Sequence, residues 1–338
     1  AAWPVDLAWS GAIHHPLRTQ GTEYQRSFSE TPGTIAAEGA YLAGASRWLP
    51  TIPGALATFE LTVEGLEPPW DVVSQGERRR HESEGGRRTV TWSCPFPQEE
   101  VYLVAGPWHE YADRAGKVAL RVFLRDEDGP LARRYLDAVK RYLRMYQEVL
   151  PPYPYPSFAV VENFWETGYG MPGFTLLGPK VLRMPWILTS SLPHELLHDW
   201  WGNGVYVDLE RGNWCEGLTA YMADHLLAEQ RGEGARYRRD ALKKYADFVR
   251  AGRDLPLAAF TARHSPATEA VGYGKSLMVF HMVRRALGDR AFLGALGRFF
   301  EAHRFRRASW DDLAAAFSEV SGRDWRPFFR AWVERPGA

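Results

Sequence analysis

The pattern of apolar residues changes near residue 126, and this change limits what the chain can fold into. Before it, apolar and polar residues alternate in short runs separated by glycine and proline, which is typical of strands with one buried face. The clearest runs are 57–63, 88–92 and 100–104. From Gly129 onward, apolar residues recur at helical spacing, first over 131–146. The sequence therefore predicts an α+β protein, with an antiparallel sheet domain over 1–126 and a mainly helical domain over 127–338.

Both parts can be divided further. In the first part, the mixed-charge stretch 77–86 ends in two glycines and is predicted to be a solvated hairpin tip. In the second part, strands are expected near 158–162 and 173–177. Helices are expected at about 191–203, 214–231, 235–252, 273–287, 290–302 and 309–320.

Composition excludes several classes of protein. The 338 residues are 45% hydrophobic, which is enough to build two packed domains. Lys plus Arg and Asp plus Glu both number 41, so no overall field would attract nucleic acid or an anionic membrane. We find neither an apolar run of membrane-spanning length nor a secretory signal pattern, so a soluble protein of unassigned compartment is expected. Cys94 and Cys215 are too few for a disulfide framework.

The segment from His194 to His198 contains the pattern His-Glu-x-x-His within an apolar stretch. On a helix, four residues are about one turn and a rise of about 6 Å, so both imidazoles can bind one metal ion. Glu195 follows the first histidine and can face an open metal position, where zinc lowers the pKa of water to about 7. The pattern predicts one Zn2+ per chain with Glu195 as general base. The alternative is a surface helix with two unrelated histidines.

A catalytic zinc site needs a third protein ligand, and the next apolar segment contains Glu216. A carboxylate buried there without a partner would cost several kcal/mol or become protonated. A zinc ion would keep it ionised. Asp208 and Glu210 lie in the polar connector and are better explained as loop residues, while Cys215 would point about 100° away from Glu216 on the same helix. Glu216 is therefore the predicted third ligand.

These residues resemble the aminopeptidase N family of gluzincin zinc metallopeptidases. The likeness rests on the His-Glu-x-x-His pattern, the Trp-Trp-Gly-Asn that follows at 200–203, and the Asn-Trp-Cys-Glu-Gly-Leu-Thr of 213–219. Residues 199–215 separate the second histidine from Glu216, one fewer than is usual in the family. The resemblance covers roughly 40–338. It implies a thermolysin-like catalytic domain after the sheet domain, a single zinc ion and a peptide substrate.

The resemblance also implies an oxyanion-stabilising tyrosine. The stretch Val271-Gly272-Tyr273-Gly274-Lys275 is similar to the family's Tyr-x-Lys-Gly helix start, and the tyrosine's role carries over to Tyr273. A preorganised hydroxyl donor of this kind contributes a few kcal/mol to a developing oxyanion. A core aromatic at a helix start is the alternative. A phosphate-binding loop is excluded, because position 269 is Glu where that loop requires Gly.

The family's substrate-anchoring loop, Gly-Ala-Met-Glu-Asn, is changed in this sequence. An ungapped comparison with residues 167–174 puts Gly170 where the family has the glutamate that holds a peptide's free amino terminus. Gly170 and the adjacent Met171 are therefore candidate substrate-binding residues. Glu166 and Glu162 are possible substitutes for the missing carboxylate.

Together these features predict an aminopeptidase-like zinc metallopeptidase that uses Glu-activated water. The need for a free amino terminus and the oligomeric state stay open. Two alternatives remain: a noncatalytic zinc-stabilised binding or scaffold protein, and a different zinc hydrolase acting on epoxides or esters. The aromatic residues Trp200, Trp201, Trp214 and Tyr169 could line a substrate cleft or pack in the core.

Overall fold

A computed structural model describes residues 5–19, 29–249 and 254–337. Within this part of the chain, tertiary contacts group the residues up to 108 in one unit and those from 109 onward in a second. This division precedes the boundary predicted at 126. The reason is that the strands formed by 109–115 and 118–124 belong to a sheet whose other members lie beyond residue 156.

The first unit consists of short antiparallel sheets. Two-residue strands β1 and β2 pair with each other, β3, β4, β9 and β6 form a four-stranded sheet, and β5, β8 and β7 form a three-stranded one. In the strand 57–66, Phe59, Leu61 and Val63 are partly buried while Glu60 and Thr62 are exposed, as expected for a strand with one buried face. The strands are β1 (Arg18–Thr19), β2 (Ser29–Glu30), β3 (Gly33–Ala36), β4 (Gly39–Leu42), β5 (Ala57–Leu66), β6 (Trp70–Val73), β7 (Glu77–Glu84), β8 (Arg87–Gln98) and β9 (Leu103–Pro107).

The prediction of a hairpin tip over 77–86 was wrong for most of its length. Residues Glu77–Glu84 form β7 at the edge of the three-stranded sheet, and only Gly85 and Gly86 form the turn. Both glycines adopt positive φ angles, 58° and 77°. Charged side chains suit an exposed edge strand, because they discourage pairing with another chain. Charge alone therefore did not distinguish a loop from a solvated edge strand.

The second unit is built on a five-stranded mixed sheet in the order β10, β11, β12, β14, β13. The central pairs β11–β12 and β12–β14 are parallel, while the outer pairs are antiparallel. Every residue of β12 is buried, as is typical of a strand covered on both faces. The strands of this unit are β10 (His109–Ala115), β11 (Val118–Leu124), β12 (Ser157–Glu162), β13 (Gly168–Met171), β14 (Phe174–Leu177), β15 (Tyr206–Val207) and β16 (Arg307–Ala308), the last two forming a separate parallel pair.

Helices make up most of the rest of this unit, and the α+β prediction is confirmed. They are α1 (Gly129–Gln147), α2 (Pro179–Arg183), α3 (Ser191–Leu197), α4 (Cys215–Ala220), α5 (Leu226–Gln230), α6 (Gly234–Phe248), α7 (Pro266–Glu269), α8 (Ser276–Leu287), α9 (Asp289–His303), α10 (Trp310–Ser321) and α11 (Arg326–Val333). Two π-helical segments, Tyr221–His225 and Ala270–Lys275, join α4 to α5 and α7 to α8. No helix in the described parts is long and apolar enough to cross a membrane.

Two helix boundaries and one short helix differ from prediction. The helix expected over 191–203 ends at Leu197, because Trp200 and Trp201 turn into the core and Gly202 adopts a φ of 106°. The helix expected from 273 begins at Pro266, after a Ser265 cap. The helix α11 was not predicted. The end of the helix expected over 235–252 falls partly outside the described residues.

The three tryptophans near the predicted zinc site are core residues. Trp200, Trp201 and Trp214 are fully buried. The indole N–H of Trp214 donates to the Ala308 carbonyl at 2.7 Å, and that of Trp200 donates to the Pro151 carbonyl at 2.8 Å. These three tryptophans therefore pack in the core next to the predicted site and do not line a cleft. Tyr169 is half-buried on the edge strand β13.

Candidate metal centre

Three side chains converge where α3 meets α4. His194 and His198 lie one turn apart at the end of α3, and their ring centroids are 4.9 Å apart. Glu216 stands in the first turn of α4. Its Oε2 atom is 3.8 Å from Nε2 of His194 and 3.7 Å from Nε2 of His198. Candidate ligand atoms of all three residues lie within 4.8 Å of one another.

Hydrogen bonds on the far side of each ring fix its orientation. The Nδ1–H of His194 donates to Asp224 Oδ2 at 2.9 Å, and the Nδ1–H of His198 donates to the Trp201 carbonyl at 3.0 Å. A carboxylate and a carbonyl can only accept, so each ring presents its Nε2 toward Glu216. This is the usual arrangement of histidines that bind a metal through Nε2.

The donor set fits zinc. Two imidazole nitrogens and one carboxylate oxygen are the ligands of many catalytic zinc sites, which leave a fourth position open. Tetrahedral bonds of the usual length separate ligand atoms by about 3.4 Å. The observed separations of 3.7 and 3.8 Å are close to that value, so binding requires only small movements of side chains. His194, His198 and Glu216 can therefore hold one zinc ion.

Charges within the group support a carboxylate ligand. Burial disfavours the ionised Glu216, but the adjacent His194 and His198 imidazoles favour it more strongly and lower its pKa to about 2. Burial also disfavours a charged His194, yet Asp224 and Glu216 together raise its pKa well above the ordinary value. A metal ion that binds Nε2 of His194 must therefore displace a proton.

The competing ligands of the connector take other roles. Cys215 Sγ donates to the Trp201 carbonyl at 2.9 Å and lies on the Nδ1 side of His198, at 3.4 Å from that atom. Burial raises the pKa of this thiol well above its ordinary value, so it stays protonated. Glu210 is exposed and Asp208 lies 3.9 Å from Arg211. These residues are loop or packing residues, as expected.

Glu195 lies against the edge strand β13. A Cβ atom built on Gly170 would be 2.5 Å from Oε2 of Glu195 and 3.4 Å from Cδ2 of His198. A side chain at position 170 would therefore require the Glu195 carboxylate to move from its present position. Tertiary packing thus brings Glu195 and Gly170 together at the same end of the site as His198.

Tyr273 is half-buried in the second π-helical segment and reaches the same site. Its hydroxyl is near enough to the Glu216 carboxylate for the two groups to affect each other's pKa, and it helps to lower the pKa of Glu216. Burial, followed by the charge of Glu216, raises the pKa of the Tyr273 hydroxyl well above its usual value, so it is a permanent donor at neutral pH. Its ring packs edge-on against Phe260 and lies 5.8 Å from the Arg263 guanidinium.

Comparison with known proteins identifies the family of this chain. Residues 135–332 match the family described as the Peptidase family M1 domain. The chain belongs to this family. Aminopeptidase N of Caulobacter vibrioides is 26% identical over 317 residues, which cover 86% of this chain and 36% of the relative. Alanine/arginine aminopeptidase of Saccharomyces cerevisiae is 22% identical over 307 residues, which cover 84% of this chain and 36% of the relative. The predicted family resemblance is confirmed.

Solved M1 structures share the fold. The M1 zinc metallopeptidase of Deinococcus radiodurans superposes with a TM-score of 0.69 at 22% identity, over 89% of this chain and 71% of that one. A mutant of that protein bound to a Tyr-Ser-Ala substrate gives a TM-score of 0.71 over 96% of this chain and 74% of that one. The chain spans about a third of the length of the two curated M1 relatives described above.

Glu166 and Glu162, the candidate substitutes for the missing anchor carboxylate in this M1 chain, bind other parts of the fold. The Glu166 carboxylate accepts hydrogen bonds from the backbone N–H groups of Lys180 and Val181, in the first turn of α2. Glu162 is buried, forms an ion pair with Arg183 and accepts from the Arg125 N–H at 2.8 Å. Met171 is buried at the end of β13. Both carboxylates thus have structural partners within the M1 fold.

Two functional neighbours of the site were missed by sequence reasoning. Asp224, which holds His194, follows Glu216 by eight residues, and a regular helix would place the two about 80° apart. The π-helical segment changes that direction, so periodicity could not identify it. Asp199 is fully buried and accepts from the Tyr153 hydroxyl at 2.5 Å and the Gly173 N–H at 2.9 Å. The sequence signal that could have identified Asp199 is its position as a carboxylate within the apolar run that follows His198.

Replacing Gly170 with Ala should impair hydrolysis without loss of metal. The added methyl group would force the Glu195 carboxylate to move, since 2.5 Å is far below van der Waals contact. A misplaced base commonly costs about 100-fold in rate. We expect kcat to fall by about 10- to 100-fold and zinc content after dialysis to stay unchanged.

Gly168→Ala is the matched control for this substitution. Gly168 lies on the same strand, and a Cβ there would meet nothing within 4 Å. Its kcat should stay close to that of the unmodified protein. Equal kcat values for the Gly170 and Gly168 variants would show that the close approach has no bearing on the base.

Replacing Asp224 with Ala should weaken zinc binding. Loss of the partner that orients a metal-binding histidine typically costs 10- to 100-fold in metal affinity. A competition titration with a chelator would measure the change. Asp247→Ala, an exposed position on α6, is the control and should leave the affinity unaltered. An affinity equal to that of the control would mean that the hydrogen bond to His194 is not needed.

Proposed function

We propose that this chain is a zinc-dependent peptidase that cleaves short peptides with water as the nucleophile. In this proposal His194, His198 and Glu216 bind one zinc ion, Glu195 is the general base and Tyr273 stabilises the oxyanion. The observation that carries it is the convergence of two oriented imidazole Nε2 atoms on the Glu216 carboxylate, at 3.8 and 3.7 Å. Membership of the M1 family supports the same chemistry.

Zinc, when bound, supplies Lewis acidity that polarises the scissile carbonyl and makes water more acidic. Glu195 accepts one proton from the attacking water and passes it to the departing amine. One C–N bond breaks and one C–O bond forms, so the products are a carboxylate and an amine. The position of Glu195 beside an edge strand suits this role, because an extended peptide can align along such a strand.

Tyr273 is proposed to donate its hydroxyl hydrogen to the carbonyl oxygen as negative charge develops there. Its raised pKa keeps the hydroxyl protonated, and the contribution of the Glu216 charge to that rise supports a position near the candidate metal ligands. A donor positioned in advance contributes about 3 to 4 kcal/mol to such a step. The ring contact with Phe260 restricts its motion.

Recognition of the substrate's amino end is proposed to differ from that of relatives with a glutamate in the anchoring loop. Gly170 has no side chain, and a side chain there would displace the Glu195 carboxylate from its present position. Glu166 and Glu162 bind backbone N–H groups and Arg183 instead. We therefore expect a weaker requirement for a free amino terminus.

Elemental analysis for zinc, combined with cleavage of fluorogenic aminoacyl substrates in free and amino-blocked forms, tests the proposal. We expect one zinc per chain and hydrolysis of both forms. Hydrolysis of only the free-amine series would support a peptidase whose amine anchor lies elsewhere. Zinc without hydrolysis of peptides would overturn the proposal and favour the scaffold alternative, or another hydrolase if epoxides or esters were cleaved.

A further inference from the structure

A polar cavity lies in the second unit, between helical segments that carry no candidate zinc ligand. It has a volume of about 350 Å3. Its polar lining comes from the first π-helical segment, α5, α6, α8 and the start of α9. The residues concerned are Tyr221, Glu229, Arg238, His281, Arg284 and Arg285, with Asp289 at the rim.

Charge in this cavity is not balanced. Three arginines face two carboxylates, and Arg284 binds both carboxylates itself, Glu229 at 2.7 Å and Asp289 at 2.8 Å. Among the described residues, Arg238 and Arg285 form no ion pair. Two guanidinium groups are therefore left with donor capacity, that of half-buried Arg238 and that of Arg285 at the exposed edge of the cavity. Charge is less screened at the half-buried position than in bulk water.

The histidines do not compensate for this positive charge. Arg238 donates to His225 Nε2 at 2.7 Å, so the hydrogen of neutral His225 is on Nδ1, which is buried and has no partner. The Tyr221 hydroxyl accepts from Arg284 at 3.4 Å and lies 3.1 Å from His281 Nδ1. Burial first, and then the nearby arginines, lower the pKa of both histidines to about 4, so both are neutral.

The cationic groups that remain without a carboxylate partner are the guanidinium groups of Arg238 and Arg285. With three arginines to two carboxylates, the cavity has an excess of positive charge. Two unpaired guanidinium groups match a ligand that offers negatively charged acceptors. Arginine forks bind carboxylate and phosphate oxygens with two hydrogen bonds each. We propose that this cavity binds a small oxyanion, a carboxylate or a phosphate, between Arg238 and Arg285.

This site is independent of the proposed peptidase reaction, because none of its lining residues belongs to the candidate zinc centre. The cavity and the candidate zinc centre nevertheless share one segment of the chain. Tyr221, which lines the cavity, and Asp224, which holds His194, lie in the same π-helical segment. π-helical segments are frequent at functional sites.

Thermal unfolding of the zinc-loaded full chain, titrated with sodium phosphate or sodium acetate, tests this inference. A ligand that binds only the folded protein raises Tm in a saturable manner. Sodium chloride at equal ionic strength serves as the reference salt. We expect a saturable rise in Tm with at least one of the two oxyanions, and which of them acts distinguishes a phosphate site from a carboxylate site. No saturable rise with either would overturn the inference.

Paired variants locate the site. In Arg238→Gln/Arg285→Gln the concentration needed for half of the Tm rise should increase by about tenfold or more, because two charge-assisted contacts are lost. Arg236→Gln/Arg239→Gln makes the same change of charge at exposed positions of α6 outside the cavity and should titrate like the unmodified protein. General salt effects on stability would appear equally in both pairs. Equal titrations of the two pairs would overturn the inference.

A single substitution keeps the test decisive if the Arg238 change prevents folding. Arg285 is exposed on α8 and has no ion pair to lose, so Arg285→Gln should fold. It should weaken the oxyanion effect by about threefold or more, since one charged donor is removed. Arg239→Gln is its matched control. An unchanged titration for Arg285→Gln would exclude this arginine from the site and overturn the inference.

Discussion

Glu195→Gln is expected to keep zinc and lose hydrolysis. The amide has nearly the shape of the carboxylate but cannot accept a proton from water, while His194, His198 and Glu216 are unchanged. Removal of a general base typically costs 10²- to 10⁴-fold in kcat. Zinc content after dialysis and kcat on a fluorogenic peptide substrate would be measured on the same preparation.

Glu210→Gln is the control for this prediction, because Glu210 is an exposed carboxylate in the connector between the two ligand-bearing helices. It should retain both zinc and turnover. Turnover of the Glu195 variant near that of the control would mean that another group is the base. Loss of zinc from the Glu195 variant would mean that this side chain supports the metal site.

The second large effect is expected from Glu216→Ala. This change removes one of three candidate ligands and leaves His194 and His198 with the hydrogen bonds to Asp224 and the Trp201 carbonyl. Zinc affinity should fall by more than about 100-fold, beyond the loss that follows from disturbing an orienting partner. Chelator competition would measure it, and hydrolysis should fall in parallel with zinc occupancy.

Glu210→Ala provides the comparison, since Glu210 was one of the carboxylates that could have completed the site from the connector. It should bind zinc like the unmodified protein. Equal zinc content in the two variants after dialysis would remove Glu216 from the ligand set. A Glu216 variant that kept hydrolysis after losing zinc would contradict the proposed chemistry as a whole.

Hydrophobic periodicity predicted which helices and strands are present better than it predicted the residues at which they end. Strands near 158–162 and 173–177 and the helix over 214–231 correspond to observed elements, because burial on one face or along one stripe is a local property of the sequence. The helix expected over 191–203 ends early because Trp200 and Trp201 are drawn into the core, which is a tertiary effect. The charged strand Glu77–Glu84 was missed because an edge strand can be almost entirely polar.

The sequence by itself determined the α+β organisation and the spacing of His194 and His198, because helix geometry alone puts residues four apart on one face. Tertiary structure decided which distant groups meet them. It placed Glu216 against both imidazoles, Asp224 behind His194 and Gly170 against Glu195. These contacts join residues from different helices and a sheet edge, and their closeness depends on packing between elements, which no local pattern of residues encodes.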